Sequence, residues 1–269
     1  MPLRAFIITL SLLLLATGCV DRSNIKPSPE NARRALKLRG IEYSEAAFLE
    51  HAAAGDLWAV NAFLAAGMNP NVRNERDETA LITAAARGDL AVVGALVKAS
   101  ADLNARDKDN RTALMRAIMN DREKVAEVLL EKNPDLNLQE KFGQSALMIA
   151  SWKMPQLVPA MLEKGAQVNL QDSDGETALV RAALAGRADV VVLLLERGAD
   201  PNLKNSVDGT PLMFAAASGH LDVARELVRA GADPGIKDYK GRTARMWAEK
   251  GGHTEVSNLL RQAEEEKVN

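Results

Sequence analysis

The sequence predicts an all-α protein built as a solenoid of helix–turn–helix units, and three observations carry that expectation. A Thr-x-Leu core recurs as Thr79-Ala80-Leu81, Thr112-Ala113-Leu114, Ser145-Ala146-Leu147, Thr177-Ala178-Leu179 and Thr210-Pro211-Leu212, with a degenerate copy at Thr243-Ala244-Arg245. Successive spacings are 33, 33, 32, 33 and 33 residues. Stepping 33 residues back from Thr79 reaches Ala46, with Phe48 at the Leu position, so seven units are expected. A glycine nine residues after the Thr position (Gly55, Gly88, Gly186, Gly219, Gly252) separates two helical patterns in most units. Finally, aromatics make up only 4% of a chain dense in Ala, Leu and Val, which suits closely packed helices better than a sandwich or barrel.

Residues 1–18 are expected to be a signal peptide. Arg4 and the amino terminus supply a short positive region, and the 13 residues from Ala5 to Thr17 are uncharged and largely apolar. That run is shorter than the ~20 residues of a membrane-spanning helix and fits a signal-peptide core. Its end, Ala16-Thr17-Gly18-Cys19, resembles the lipobox of bacterial lipoproteins, with Ala16 where that family prefers Leu. The resemblance implies cleavage before Cys19, acylation of its thiol and a lipid anchor in the cell envelope. Val20 stands where Asp would signal inner-membrane retention, which implies the outer membrane, facing the periplasm. Residues 19–29, with Pro27 and Pro29, form the expected tether. Cys19 is the only cysteine, which excludes an internal disulfide and a thiolate metal cluster.

Residues 30–42 begin with ENARRALKLR and predict an N-terminal capping helix ending at Gly40. Residues 43–262 hold the repeated units, and 263–269 a polar tail. Within a unit, Thr suits the N-cap and Pro211 the first helical turn. The second helix is an aliphatic run such as Val190 to Leu195. A Gly-Ala-Asp-type turn follows, as at Gly67-Met68-Asn69, Ser100-Ala101-Asp102, Gly165-Ala166-Gln167, Gly198-Ala199-Asp200 and Gly231-Ala232-Asp233. Asn then recurs at 71, 104, 137, 169 and 202, and Asp and Asn are expected to stabilise the turn between units.

This pattern resembles the ankyrin repeat over residues 43–262. The resemblance implies helix–turn–helix units with short β-hairpin-like fingers between them, and binding through the concave face. The chain departs from the family where a His usually follows Thr-Pro-Leu and knits neighbouring units. Ile82, Met115, Met148, Val180, Met213 and Met246 stand there instead, so apolar contact is expected to replace that hydrogen-bond network. Asp121 replaces the inter-helix glycine of the third unit. The fourth unit lacks one residue and carries Met154, Pro155 and Pro159, so an irregular second helix is expected there.

The charge balance, 34 basic against 36 acidic residues, removes the electrostatic footprint of a whole-chain nucleic-acid binder. Loss of residues 1–18 takes Arg4 and leaves 33 against 36. His51, His220 and His253 give little material for a metal or catalytic site, and the last two fit helix caps. The methionine series fits core packing better than copper ligation. No hydrolase, zinc-protease or phosphate-loop motif occurs, so no catalytic residue, metal or cofactor is expected. Asp172, Asp174 and Glu176 share a finger and are expected to stay exposed with ordinary pKa values.

By the resemblance, partners touch finger residues just before the Thr and first-helix residues just before the inter-helix turn. Those positions are Glu75, Arg76, Glu78 and Arg87, then Lys108, Arg111, Met119 and Asn120, then Lys141, Phe142, Gln144, Trp152 and Lys153. Asp174, Glu176, Val207, Tyr239 and Arg242 complete the face. Phe142, Trp152, Tyr239 and the arginines are the types that dominate interface energetics. Trp152 has a second role open to it, filling the space left by the missing residue. The expected molecule is a monomeric, lipid-anchored protein that binds a protein partner, as a scaffold or as an inhibitor or immunity factor of an envelope-acting enzyme. A periplasmic protective enzyme with a bound cofactor is the alternative.

Overall fold

The computed structural model describes residues 28–268; Cys19, the apolar segment before it and Lys26 lie outside them. A first helix, α1 (Pro29–Leu38), is capped by the Ser28 hydroxyl and buries Ala32 and Leu36 against α3 (Leu57–Ala65). From α2 (Glu45–Ala54) onward the chain runs as consecutive helix pairs. These are α2 with α3, α4 (Ala80–Arg87) with α5 (Leu90–Lys98), and α6 (Ala113–Met119) with α7 (Glu123–Glu131). Next come α8 (Ala146–Lys153) with α9 (Val158–Glu163), α10 (Ala178–Leu184) with α11 (Ala188–Glu196), α12 (Pro211–Ala217) with α13 (Leu221–Arg229), and α14 (Ala244–Gly251) with α15 (Thr254–Val268). Even-numbered helices pack side by side from α2 to α14 as an inner layer, and odd-numbered ones form an outer layer.

The Thr positions explain where inner helices start. The hydroxyls of Thr79, Thr112, Ser145 and Thr177 accept from the backbone N–H three residues on, each at 3.3 Å, and Thr243 does so at 3.5 Å. Thr210 makes no such bond, and Pro211 occupies the first turn of its helix. Behind each cap, Ile82, Met115, Met148, Val180 and Met213 are buried. Met246, at the same register, is 42% exposed because no inner helix follows α14 to cover it.

Apolar side chains are buried at that register as expected, and hydrogen bonds at other positions join the units as well. The amides of Asn71, Asn104, Asn137, Asn169 and Asn202 accept from the backbone N–H of Asp102, Asp135, Gln167, Asp200 and Asp233 at 2.7–2.9 Å. Each bond therefore joins one unit to the next, while the turn itself is held by the preceding side chain, as Asp102 holds the N–H of Asn104. A second ladder runs from Arg73 to the Arg106 carbonyl, Arg106 to Gln139, Gln139 to Gln171 and Gln171 to Lys204. His220 and His253 are cap residues as expected, with their rings on the last carbonyl of the preceding unit's inner helix. His220 stands at the N-cap of α13 without a side-chain cap bond, and its ring instead meets the Leu184 carbonyl at 3.1 Å. The His253 ring meets Ala217 in the same way, and Arg122 reaches Ala86.

The α8–α9 pair is irregular. Pro155 to Leu157 form a 3-10 turn, and α9 has only 6 residues, with Pro159 in its first turn. Met154 takes an extended φ of −142° where most other units place a left-handed residue, Asp121 among them at φ 59°. Met154, Leu157, Val158 and Met161 fill the core there, and α9 packs mainly on α8 and the 3-10 turn. Backbone amides of residues 154–163 should therefore exchange with deuterium faster than those of α4 or α12. Asn137→Ala should leave the Gln167 N–H unpaired and lower the urea-unfolding free energy by about 1–2 kcal/mol.

Candidate binding face

Between the pairs the chain forms fingers, and one side chain five residues before each Thr position builds each of them. Asn74, Asp107, Glu140, Asp172, Asn205 and Asp238 each accept from the backbone N–H groups two and four residues on. The backbone then closes, for example from the Asp107 N–H to the Arg111 carbonyl at 3.1 Å. The third residue of each tip is left-handed, whether Asp77, Asn110, Gly143, Gly175, Asp208 or Gly241. Gly143 also has no room for a side chain, since a Cβ would lie 2.7 Å from the Ser173 nitrogen. Neighbouring fingers are tied through Lys108 N–H to Arg76 O, Lys141 to Asp109, Ser173 to Phe142, Ser206 to Asp174 and Tyr239 to Val207.

In two of these turns, those of Asp107 and Asp172, an arginine from an inner helix takes the second carboxylate oxygen. Arg116 pairs with Asp107 at 2.6 Å and reaches back to Glu78 at 3.4 Å. Arg181 pairs with Asp172 at 2.8 Å and Glu176 at 3.1 Å. Asp238 receives Arg242 at 2.8 Å and the Trp247 indole N–H at 3.1 Å. Burial by itself would raise the Asp238 carboxyl, but donors from Arg242 and Lys240 outweigh it and hold it at about 2. Glu140 is one methylene longer than the aspartates at its register, and its Oε2 faces Arg111 Nε at 3.9 Å without a hydrogen bond.

The acidic cluster departs from expectation: Asp172 is buried, and Glu176 is half-buried with its pKa raised, first by burial and then by Asp172 and Asp174, against Arg181. Only Asp174 is exposed there. Many of the expected binding positions serve the finger network as well. Arg111 is half-buried against Asp109 at 3.2 Å, and Arg242 stacks 3.8 Å from the Trp247 ring centre. Lys153 pairs with Asp121 at 3.0 Å, Arg87 with Asp89 at 2.8 Å, and Asn120 with the Arg116 carbonyl at 2.7 Å. Glu78 and Gln144 are half-buried, and Met119 packs against the core. Glu75, Arg76, Lys108 and Lys141 are exposed. Phe142 is 60% exposed, Tyr239 59%, and Trp152 and Val207 44% each. Trp152 thus lies on the surface beside Arg181, Leu184 and Ala185, and the buried Met154 occupies the core of that unit instead.

The fingers and inner helices enclose distinct environments along the stack. At the α2–α4 end a hollow is lined by Glu45, Glu50, Glu75 and Glu78. At the other end a largely apolar cavity of about 310 Å³ is formed by Val207, Met213, Phe214, Tyr239 and Trp247, with Arg242 and Asp238 at its polar edge. Phe214 and Trp247 were not among the positions expected from the sequence. Both stand four residues after the Thr position, where earlier units carry Thr83, Arg116, Ile149 and Arg181, so a column of that register shows the change to aromatics.

The turn chemistry separates charge from hydrogen bonding at one position. Asp238→Asn keeps an acceptor for the two backbone N–H groups, as Asn74 and Asn205 do, and should cost about 1 kcal/mol in urea unfolding; Asp238→Ala should cost about 2–3 kcal/mol. Because the folded carboxylate titrates below its ordinary 3.8, its contribution is present above pH 3.8 and is lost as pH falls toward about 2. Asp56 and Asp233 are lowered as well, the first chiefly by the Ala59 N–H and the second by Lys267. Acid unfolding should therefore steepen below pH 4, and less so in Asp238→Asn.

No curated protein matches this chain. A sequence model of the family described as ankyrin repeats matches it in three copies, over residues 48–140, 133–205 and 202–269. Together these span the helix pairs and every finger described above, and the helical architecture agrees with the match. Proteins of this family are typically non-enzymatic binding scaffolds, and the match suggests a protein–protein interaction module. The chain belongs to the ankyrin-repeat family.

Proposed function

We propose that this protein is an envelope lipoprotein, attached through Cys19 to the outer membrane and facing the periplasm, that holds a protein partner against its fingers and inner helices. The observation that carries the binding part is the aromatic cavity at the α12–α14 end, continuous in register with exposed Val207 and Tyr239. A cavity of about 310 Å³ accommodates one protruding apolar side chain. The interlocked fingers keep this surface preformed, which limits the entropy cost of docking. The lipoprotein part rests on the residues before and after Cys19.

Two roles use the same surface. As a scaffold, the protein tethers a periplasmic partner to the membrane; as an inhibitor or immunity factor, it covers the working surface of a toxic envelope enzyme. Crosslinking in intact envelopes followed by affinity capture of the mature chain identifies the partner. Co-expression with that partner then decides the role, since only an inhibitor restores viability to cells carrying a lethal enzyme.

Phe142→Ala combined with Tyr239→Ala should weaken partner binding ~10-fold or more while moving the melting temperature by less than about 3 °C, because both side chains already face water. Parallel loss of binding and thermal stability would refute the proposed contact. Cys19→Ser should abolish fatty-acid labelling and leave the precursor uncleaved; labelling that persists would remove the anchor.

A further inference from the structure

We propose that the N-terminal cap is a second interaction surface, one that docks on an anionic lipid surface. Helix α1 buries Ala32 and Leu36 against the stack and turns Arg34, Lys37 and Leu38 outward, with Leu38 78% exposed. Among the described residues neither Arg34 nor Lys37 takes part in an ion pair, and no further helix covers α1.

Contacts with α3 fix the layout of this surface. Arg33 donates to the Ala66 carbonyl at 3.5 Å beyond the end of α3, while the Arg39 guanidinium lies 3.6 Å from the ring centre of Trp58 at its start. The two helices are therefore antiparallel, and Leu38, Arg39, Trp58 and Leu57 meet at one edge. Leu90 occupies the register of Leu57 on the next outer helix, and all three of Leu57, Trp58 and Leu90 are more than one third exposed. Cationic side chains beside a half-exposed indole and projecting leucines match the layers of a lipid interface: anionic headgroups above, acyl chains just below.

Charge is distributed along the stack in the same sense. Helix α1 and its C-cap carry Arg33, Arg34, Lys37 and Arg39 against Glu30, with Asp56 facing Arg39 from the start of α3, whereas α15 at the far end carries four acids, Glu255, Glu264, Glu265 and Glu266, against Arg261 and Lys267. An anionic surface thus attracts one end of the molecule and repels the other. This inference rests on the lipoprotein reading for its delivery: Cys19 precedes Pro29 by ten residues, which span at most ~35 Å fully extended. An acylated Cys19 would hold the basic cap within reach of headgroups, and the two attachments would reinforce each other. The cap would then set the orientation, leaving the finger surface free.

The test uses the chain from Val20 to Asn269, which retains every described residue and lacks both the apolar segment and the cysteine. It should co-sediment with phosphatidylglycerol vesicles, release with added salt, and ignore phosphatidylcholine vesicles. Arg34→Glu with Lys37→Glu should reduce that binding ~10-fold or more, with an unchanged circular-dichroism melt. Trp58→Ala should weaken it as well, and melting of that variant separates lost contact from lost packing. Indifference to phosphatidylglycerol, or unchanged binding by the charge-reversed variant, would overturn the inference. Fatty-acid labelling of Cys19 in the full chain is scored separately. Labelling without vesicle binding defeats only the docking face, and vesicle binding without labelling defeats only the anchor.

Discussion

Each helix pair in this protein has an apolar flank that only the next pair can cover, and the whole architecture follows from that constraint. Met115, Met148 and Met213 disappear from solvent because an inner helix lies on either side of each. Met246, with identical register and chemistry, stays 42% exposed where the inner layer ends. Burial is thus a property of stacking, and stability is shared between neighbours as in any one-dimensional array. The ends must be treated differently, which α1 does at one end and the polar α15 does at the other.

Stacking alone would permit sliding between flat aliphatic surfaces. Directional hydrogen bonds remove that freedom. The asparagine ladder, the Arg73-to-Gln171 ladder and the finger backbone bonds each repeat once per unit, so a shift in register would break all three together. The acceptor side chain of each finger makes this economical: one oxygen closes the turn, and in Asp107 and Asp172 the other anchors an arginine from an inner helix. Surface groups that would otherwise be mobile, Arg111 and Arg242 among them, become part of the scaffold. The side chains left free to meet a partner are the tips, chiefly Phe142, Val207 and Tyr239.

The irregular α8–α9 pair illustrates how such an array absorbs a lost residue. Two prolines and a 3-10 turn shorten the outer helix, and sulfur-containing Met154 and Met161 fill the altered core. Methionine suits that task because its unbranched side chain adapts to uneven gaps. Trp152 stands at the same register as Leu184, seven residues after the Thr position, and both are exposed and adjacent.

The sequence by itself determined the helical pairs, their boundaries and the irregular unit. Thr caps, glycine breaks and a period of about 33 residues are local or periodic signals that most units repeat. Exposure of the aromatics at 142 and 239 was expected from the contact positions that the ankyrin resemblance implies, whereas for Trp152 the sequence left surface and core roles both open. Only the tertiary structure decided which polar residues bond within a unit and which bond across to the next. Asn137 looks like a turn residue in the sequence, yet its partner, Gln167, is thirty residues away. Asp172 and Asp174 are the same amino acid two positions apart, yet Asp172 is buried because the turn closes on its carboxylate and Arg181 pairs with it, while Asp174 is exposed. The α12–α14 cavity was illegible for a related reason: its walls come from two fingers and two helices, and their convergence is a consequence of stacking geometry that no single stretch of chain contains.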